Sequence, residues 1–312
     1  MPKKRSLSPA IEPARFVSAL EWPTLALMVG VFAAYALLTL NHARLPGWLL
    51  FVGGGLVLAL YSSLQHEVIH HHPTRSRCVN EALVWLPLSL WLPYAVYRET
   101  HLRHHRNENL TDPLLDPESY YLPAAAWQSL SRWQQCGYRL LNTMAGRLLA
   151  GAVFIPLHFL WQAVRQLLQG DDTRRQVRLW GWHLLGVAVV VYWVTGVCRM
   201  PFWAYVGLFV YPGTMLSLLR SFIEHRAVPV PAERSAIVES NAFFCLLFLN
   251  NNLHAVHHAL PALPWYRIPA CWRTNRAAIL AHNGQYYFRG YAQVARHFGL
   301  RAREHPCYPL SI

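Results

Sequence analysis

Four stretches of the chain are apolar without interruption by a charge: residues 23–40, 46–64, 179–198 and 200–219. Each is close to the ~20 residues that a helix needs to cross the hydrocarbon core of a bilayer. The links between them, residues 41–45 in the first pair and Arg199 in the second, leave room only for tight turns. Each pair therefore reads as a down-and-back hairpin. Two further apolar stretches read as buried or interfacial segments: residues 82–97 are short and hold Pro87 and Pro93, and residues 148–164 hold His158 and Gln162. Between them, Trp127, Leu130, Trp133, Leu140 and Leu141 recur near helical spacing among Arg132, Gln134 and Arg139, which suits a helix lying in the membrane interface. The pattern predicts an all-α integral membrane protein with four transmembrane helices in two hairpins. With no repeat and no low-complexity linker, residues 1–312 make one domain.

Composition agrees with that class. Hydrophobic residues make up 54% of the chain and charged residues 14%, with 13 tryptophans and 15 tyrosines of the kind that gather at membrane interfaces. The formal charge of +13 would elsewhere suggest nucleic acid. Here the basic residues alternate with long apolar runs, so anionic lipid headgroups are the expected partner and nucleic acid is not. Their placement also sets an orientation. Lys3, Lys4, Arg5 and Arg15 precede the first run, and the apolar run behind them is too long for a signal-peptide core, which makes it a retained anchor. The loop 65–178 and the tail from Arg220 are rich in arginine, while the two hairpin links carry only Arg44 and Arg199. Basic loops mark the cytoplasmic side, so both termini and the long loop are expected there, in a bacterial inner membrane. The six cysteines include no Cys-x-x-Cys, which argues against a zinc ribbon and against a disulfide framework.

The histidines change the picture. Three windows, His66-Glu67-Val68-Ile69-His70-His71-His72, His101-Leu102-Arg103-His104-His105 and His254-Ala255-Val256-His257-His258, hold 10 of the 17 histidines. All three lie on the basic side of the bundle. On a helix, residues four apart lie about 6 Å apart along the axis and on one face, so His66 with His70, His101 with His105 and His254 with His258 can each grip one metal. His104 and His257 point about 100° away and can reach a second metal, or the same one from the side. Neutral imidazole suits zinc, copper, iron and nickel alike. Metal-bound imidazoles hand their other N–H to a carboxylate or carbonyl; Asp112, Glu108, Asp116 and Glu224 are close in sequence, and Asp112 is the favoured one, with Glu67 as a further candidate. His66-Glu67-Val68-Ile69-His70 also matches the His-Glu-x-x-His of a zinc metalloprotease, with Glu67 as general base. That reading leaves the other two windows idle. A metal transporter should carry ligands within its spans, and the four runs hold only His183.

His-x-x-x-His, His-x-x-His-His and a distant Asn-x-x-His-x-x-His-His, in this order on a four-span scaffold, resemble the membrane fatty acid desaturase/hydroxylase superfamily. The stretches 98–113 and 250–266 look especially like bacterial fatty acid desaturases, and the likeness covers residues 65–265. The resemblance implies a non-haem centre of two iron ions with O2 as co-substrate, in a cytoplasmic helical cap. It implies as ligands His66, His70, His101, His104, His105, His254, His257 and His258, with His225 as the additional histidine between the second and third boxes. His71 and His72 stay open. His42, His158, His183, His282, His297 and His305 have no clustered partner and read as structural. Desaturation of a lipid acyl chain is the expected reaction. Hydroxylation, ketolation or oxidative decarboxylation of a lipid, hydrocarbon or carotenoid would use the same ligands. No cytochrome b5-like His-Pro-Gly-Gly occurs, so the resemblance implies a separate electron donor: a ferredoxin, a rubredoxin or a cytochrome with its reductase.

Overall fold

The computed structural model describes residues 20–106, 109–170 and 172–310. Glu108 and the basic residues Lys3, Lys4, Arg5 and Arg15 lie outside them. The described chain is mostly helical, and four of its helices are long and apolar enough to cross a membrane.

Helix α1 spans Trp22–Leu40 and α2 spans Gly47–Ile69. Pro23 opens α1 at a position where the missing N–H costs nothing. Asn41 closes it, its side-chain amide donating to the carbonyl of Leu37 at 2.8 Å. Short helices α3 (Arg77–Leu83) and α4 (Tyr94–Arg106) follow, separated by turns through Pro87 and Pro93 that keep residues 82–97 from forming one span. Next come α5 (Ala124–Ser129), α6 (Arg132–Leu141), α7 (Met144–Leu149) and α8 (Gly151–Gln169). Ser131 and Gln134 cap α6 reciprocally, and α8 stops at Gly170, whose φ of 83° suits a residue without Cβ.

Helix α9 (Thr173–Val191) widens into a π turn at Tyr192–Val197. Helix α10 (Phe202–Tyr205) passes through a second π turn, Val206–Val210, into α11 (Tyr211–Ser221). Four helices complete the chain: α12 (Ala242–Leu247), α13 (His254–Ala259), α14 (Ile268–His282) and α15 (Tyr291–Phe298). A two-residue parallel pair, β1 (Ile237–Val238) with β2 (Tyr287–Phe288), ties the last third together. β1 also accepts and gives backbone bonds around α13: Val238 N–H donates to Asn252 at 2.8 Å, and Ala255 N–H to Ala236 at 2.9 Å.

The core is built around α2. One apolar cluster joins Met28 and Val31 of α1 to Leu58 and Leu64 of α2, with Val190, Tyr205 and Phe209 closing around them. A second packs Leu219, Phe222, Phe248 and Val294 against the middle of α2 at Ala59. By contrast, only 28% of the α1 span and 22% of the α9 span are buried, so most of their apolar surface faces outward where a bilayer would cover it.

Two boundaries differ from the sequence expectation. α2 continues past Leu64 to Ile69, so His66 is within the helix. α9 begins at Thr173, with Arg174, Arg175 and Arg178 in its first turns. In both cases a polar segment stays helical because the ladder simply continues from an apolar span, where no proline or glycine interrupts it.

Candidate metal centre

Four elements bring histidines to one place. α2 supplies His66 in its last turn and His70 just past its end; α4 supplies His101, His104 and His105. His225 follows α11 and is held by a backbone bridge to Ser235, with its carbonyl accepting the Tyr120 hydroxyl at 2.7 Å. α13 supplies His254, His257 and His258.

They fall into two groups. His66, His70, His101, His105 and His257 form one; His104, His225, His254 and His258 form the other, the donor atoms of each lying within 4.8 Å of one another. Helical periodicity explains the partition. On α4 the i,i+4 pair His101 and His105 enters the first group and His104 the second, while on α13 the pair His254 and His258 enters the second and His257 the first.

The nitrogens that converge are Nε2. His101 Nε2 lies 3.1 Å from that of His70 and 3.0 Å from that of His105, which is 3.0 Å from that of His257. In the second group His225 Nε2 lies 3.0 Å from His104 Nε2 and 2.9 Å from His254 Nε2. Three of these rings, His101, His104 and His254, already commit the opposite ring nitrogen to an acceptor. His104 Nδ1 donates to Asp116 at 2.9 Å, His101 Nδ1 to Glu118 at 3.1 Å, and His254 Nδ1 to Asn251 at 3.2 Å with Glu224 at 3.5 Å. A neutral ring held in that tautomer leaves its Nε2 lone pair facing the cluster. Nε2 of His66 and His258 is buried and has no hydrogen-bond partner.

Cations would satisfy these lone pairs, and the spacing can be compared with metal–nitrogen geometry. With metal–nitrogen bonds of ~2.1 Å, nitrogens at a tetrahedral angle stand roughly 3.4 Å apart and those at a right angle about 3.0 Å apart. The observed 2.9–3.1 Å edges match right angles, and five donors exceed what one tetrahedral zinc takes. The residues present thus fit two metal ions, one that each histidine group would hold.

The electrostatics suit metal binding. Burial first, and then the surrounding imidazoles, hold His70, His101, His105, His225, His254, His257 and His258 below the usual histidine range, which keeps them neutral. His104 differs: burial works against its charge, but the hydrogen bond to Asp116 and the nearby carboxylates outweigh that and raise it. A cation at Nε2 would take the place of that proton. Asp116, Glu118 and Glu224 put three carboxylates behind the rings, and Arg220 stands 3.2 Å from Glu224.

All nine histidines named from the sequence are therefore together, and of the four candidate acids Asp116 and Glu224 stand behind the rings, but the favoured Asp112 does not. Asp112 touches none of them. Its carboxylate accepts the N–H groups of Leu114 and Leu115 at 2.8 and 3.1 Å and so closes a turn. That turn, with Thr111 at a φ of 75°, swings Asp116 back onto α4. Glu118 had no signal in the sequence, since it stands 13 residues beyond His105 and reaches His101 only through this reversal. Glu67 does not support a ligand either: it accepts the N–H of Trp265 at 2.8 Å and lies 3.9 Å from His72. A proteolytic role for it fails on the same geometry, because its carboxylate is engaged outside the histidine groups. His72 donates to Glu21 at 2.6 Å in a small buried group of its own, and His71 is exposed.

A mostly helical chain with four membrane-length helices and two buried histidine groups defines a class of membrane metalloenzyme. Comparison with known proteins names it. Residues 43–290 match the family model of the fatty acid desaturases, and the chain belongs to that family. It is 23% identical over 272 residues to an sn-1 oleoyl-lipid 12-desaturase of Arthrospira platensis, a match covering 80% of this chain and 73% of that one. The chain is an oxidoreductase associated with the membrane, and its substrate is a lipid.

Proposed function

We propose that the chain desaturates a lipid acyl chain with O2, using two iron ions held by the nine histidines. The observation that carries this reading is the division of those histidines into groups of five and four with right-angle Nε2 spacings. Bound iron would supply the O2 chemistry that removes hydrogen from an unactivated C–H bond, which organic side chains cannot do. The protein's part is to hold the site. Asp116, Glu118, Glu224 and Asn251 fix the tautomer and tilt of the rings at His104, His101 and His254.

Desaturation removes two hydrogens from the chain; with two electrons and two protons added, O2 leaves as two waters. The electrons come from a separate ferredoxin, rubredoxin or cytochrome with its reductase. Hydroxylation, ketolation and decarboxylation would need the same ligands; desaturation is preferred because the matched relative is named for it. In the membrane, α1 with α2 and α9 with α11 make two hairpins, and the histidine side faces the cytoplasm of a bacterial cell.

The test is mass spectrometry of lipids from cells expressing the wild type or His257→Ala, with metal analysis of both purified proteins. The wild type should add a double bond and hold close to two irons per chain; His257→Ala should do neither. One zinc per chain and no iron in protein isolated without added metal would overturn the assignment.

A further inference from the structure

On the face of α4 turned away from the metal centre lies a cavity of about 1110 Å³. It is walled by α3, α4 and the first turns of α9, and no histidine of the two groups lines it. Helical geometry separates the two faces: Glu99, Arg103 and Arg106, which line the cavity, lie roughly opposite His101, His104 and His105 around α4. Six arginines line the cavity, Arg77, Arg98, Arg103, Arg106, Arg175 and Arg178, against two acids, Glu81 and Glu99. Glu81 is shared between Arg77 at 2.7 Å and Arg98 at 3.4 Å, and Glu99 pairs with Arg175. Arg103, Arg106 and Arg178 have no ion pair among the described residues. Four positive charges are in excess.

The cavity also has an apolar flank. Trp85, Leu179 and Trp182 supply it, and the last two belong to the membrane-length helix that begins at Thr173. Trp182 is 65% exposed, so this wall opens sideways onto the surface a bilayer would cover. Guanidinium groups above a tryptophan-lined flank of a span match one amphiphile closely: phosphate at headgroup level with acyl tails directly beneath. Arginine binds phosphate with paired N–H donors, and tryptophan settles at the headgroup boundary. A soluble acidic protein would leave the sideways apolar wall uncovered. An acyl group carried on a nucleotide would place a long polar spacer where this cavity is apolar.

We propose that this cavity holds an anionic glycerophospholipid as a resident lipid, distinct from the substrate, bridging α4 and α9. Because α4 stands between the cavity and the histidines, the lipid steadies the helix that supplies three of the nine rings without presenting its own tails to them.

The experiment uses the full chain in phosphatidylcholine nanodiscs, titrated with phosphatidylglycerol and read by native mass spectrometry as lipid retained per chain. One phosphatidylglycerol should remain bound after washing with phosphatidylcholine. Arg103→Gln with Arg178→Gln should weaken its retention about 30-fold, which is about fivefold for each arginine near an anionic lipid. Arg103→Lys with Arg178→Lys should keep most of it. A control pair removing the same charge elsewhere, Arg273→Gln with Arg289→Gln, should change little. An equal loss in the control pair would reduce the effect to diffuse surface attraction and overturn the proposal. So would equal retention of phosphatidylcholine, or tighter retention of a long-chain acyl-coenzyme A at the same arginines.

Discussion

Asp112 and Asp116 differ by four positions and by everything that matters to the site. Asp112 spends its carboxylate on the N–H groups of Leu114 and Leu115, whereas Asp116 is buried and accepts from His104 at 2.9 Å while two backbone N–H groups, of Thr111 and Glu118, hold it in place. Loss of a carboxylate behind a metal-bound ring typically costs ~10–100-fold in affinity or activity. Asp116→Asn and Glu118→Gln are therefore expected to lose iron and turnover on that scale, and Asp112→Asn to stay within about twofold, measured as iron per chain and as product formed. Equal losses at 112 and 116 would show that the turn matters and the ring contact does not. Glu67→Gln should keep its iron and measurable activity, while His254→Ala should be inactive; the reverse ranking would restore the protease reading. Ligand spacing was legible because helical periodicity fixes which imidazoles share a face. The acids behind them were legible only as a set of near neighbours that included Asp116 and Glu224; a reversal at Thr111 decides which carboxylate returns to α4, and no periodic rule governs such a turn.

The long helices were legible for a plainer reason: an uncharged apolar run of about 20 residues has few other ways to satisfy its backbone. Their ends were less so. α2 outruns its apolar stretch by five residues, and that extension places the first histidine pair. What sets α2 at the right depth is its contact with α11, where small residues let the backbones close up. A Cβ at Gly54 would fall 2.5 Å from the carbonyl oxygen of Leu208 and 2.7 Å from the Phe209 ring. A Cβ at Gly213 would fall 2.5 Å from that of Leu58. Gly54→Val must push the helices apart, at the 1–3 kcal/mol typical of overpacking, ~2 kcal/mol here. It should lower the thermal midpoint in detergent and, because His66 rides on the same helix, lower iron content too. Gly30→Ala in α1, where nothing lies within 4 Å, is the control and should match the wild type. If Gly54→Val unfolds at the wild-type temperature, the α2–α11 contact is looser than the structure has it.

At the scale of the whole molecule, charge and chemistry share one side. Of the described basic residues, Arg44 and Arg199 stand at the two short links, while the others lie in the segments 65–178 and 220–310 that also carry the histidine groups, with Arg178 and Arg220 on their borders. Basic residues near span ends favour the cytoplasm, where the proposed electron donor would reach the histidine side. Cys198 sits beside the second link and is buried, so it does not report on that side. Cys78 and Cys136 are exposed on the histidine side and do. A membrane-impermeant maleimide added to intact cells should label Arg44→Cys and Arg199→Cys, both at exposed positions, and should leave Cys78 and Cys136 untouched until the cells are opened. Labelling at Arg44→Cys without labelling at Arg199→Cys would mean that the two links lie on opposite faces, and the two-hairpin arrangement would fall. Labelling of Cys136 in intact cells would reverse the orientation, and the electrons would then have to reach the metal centre from outside the cytoplasm.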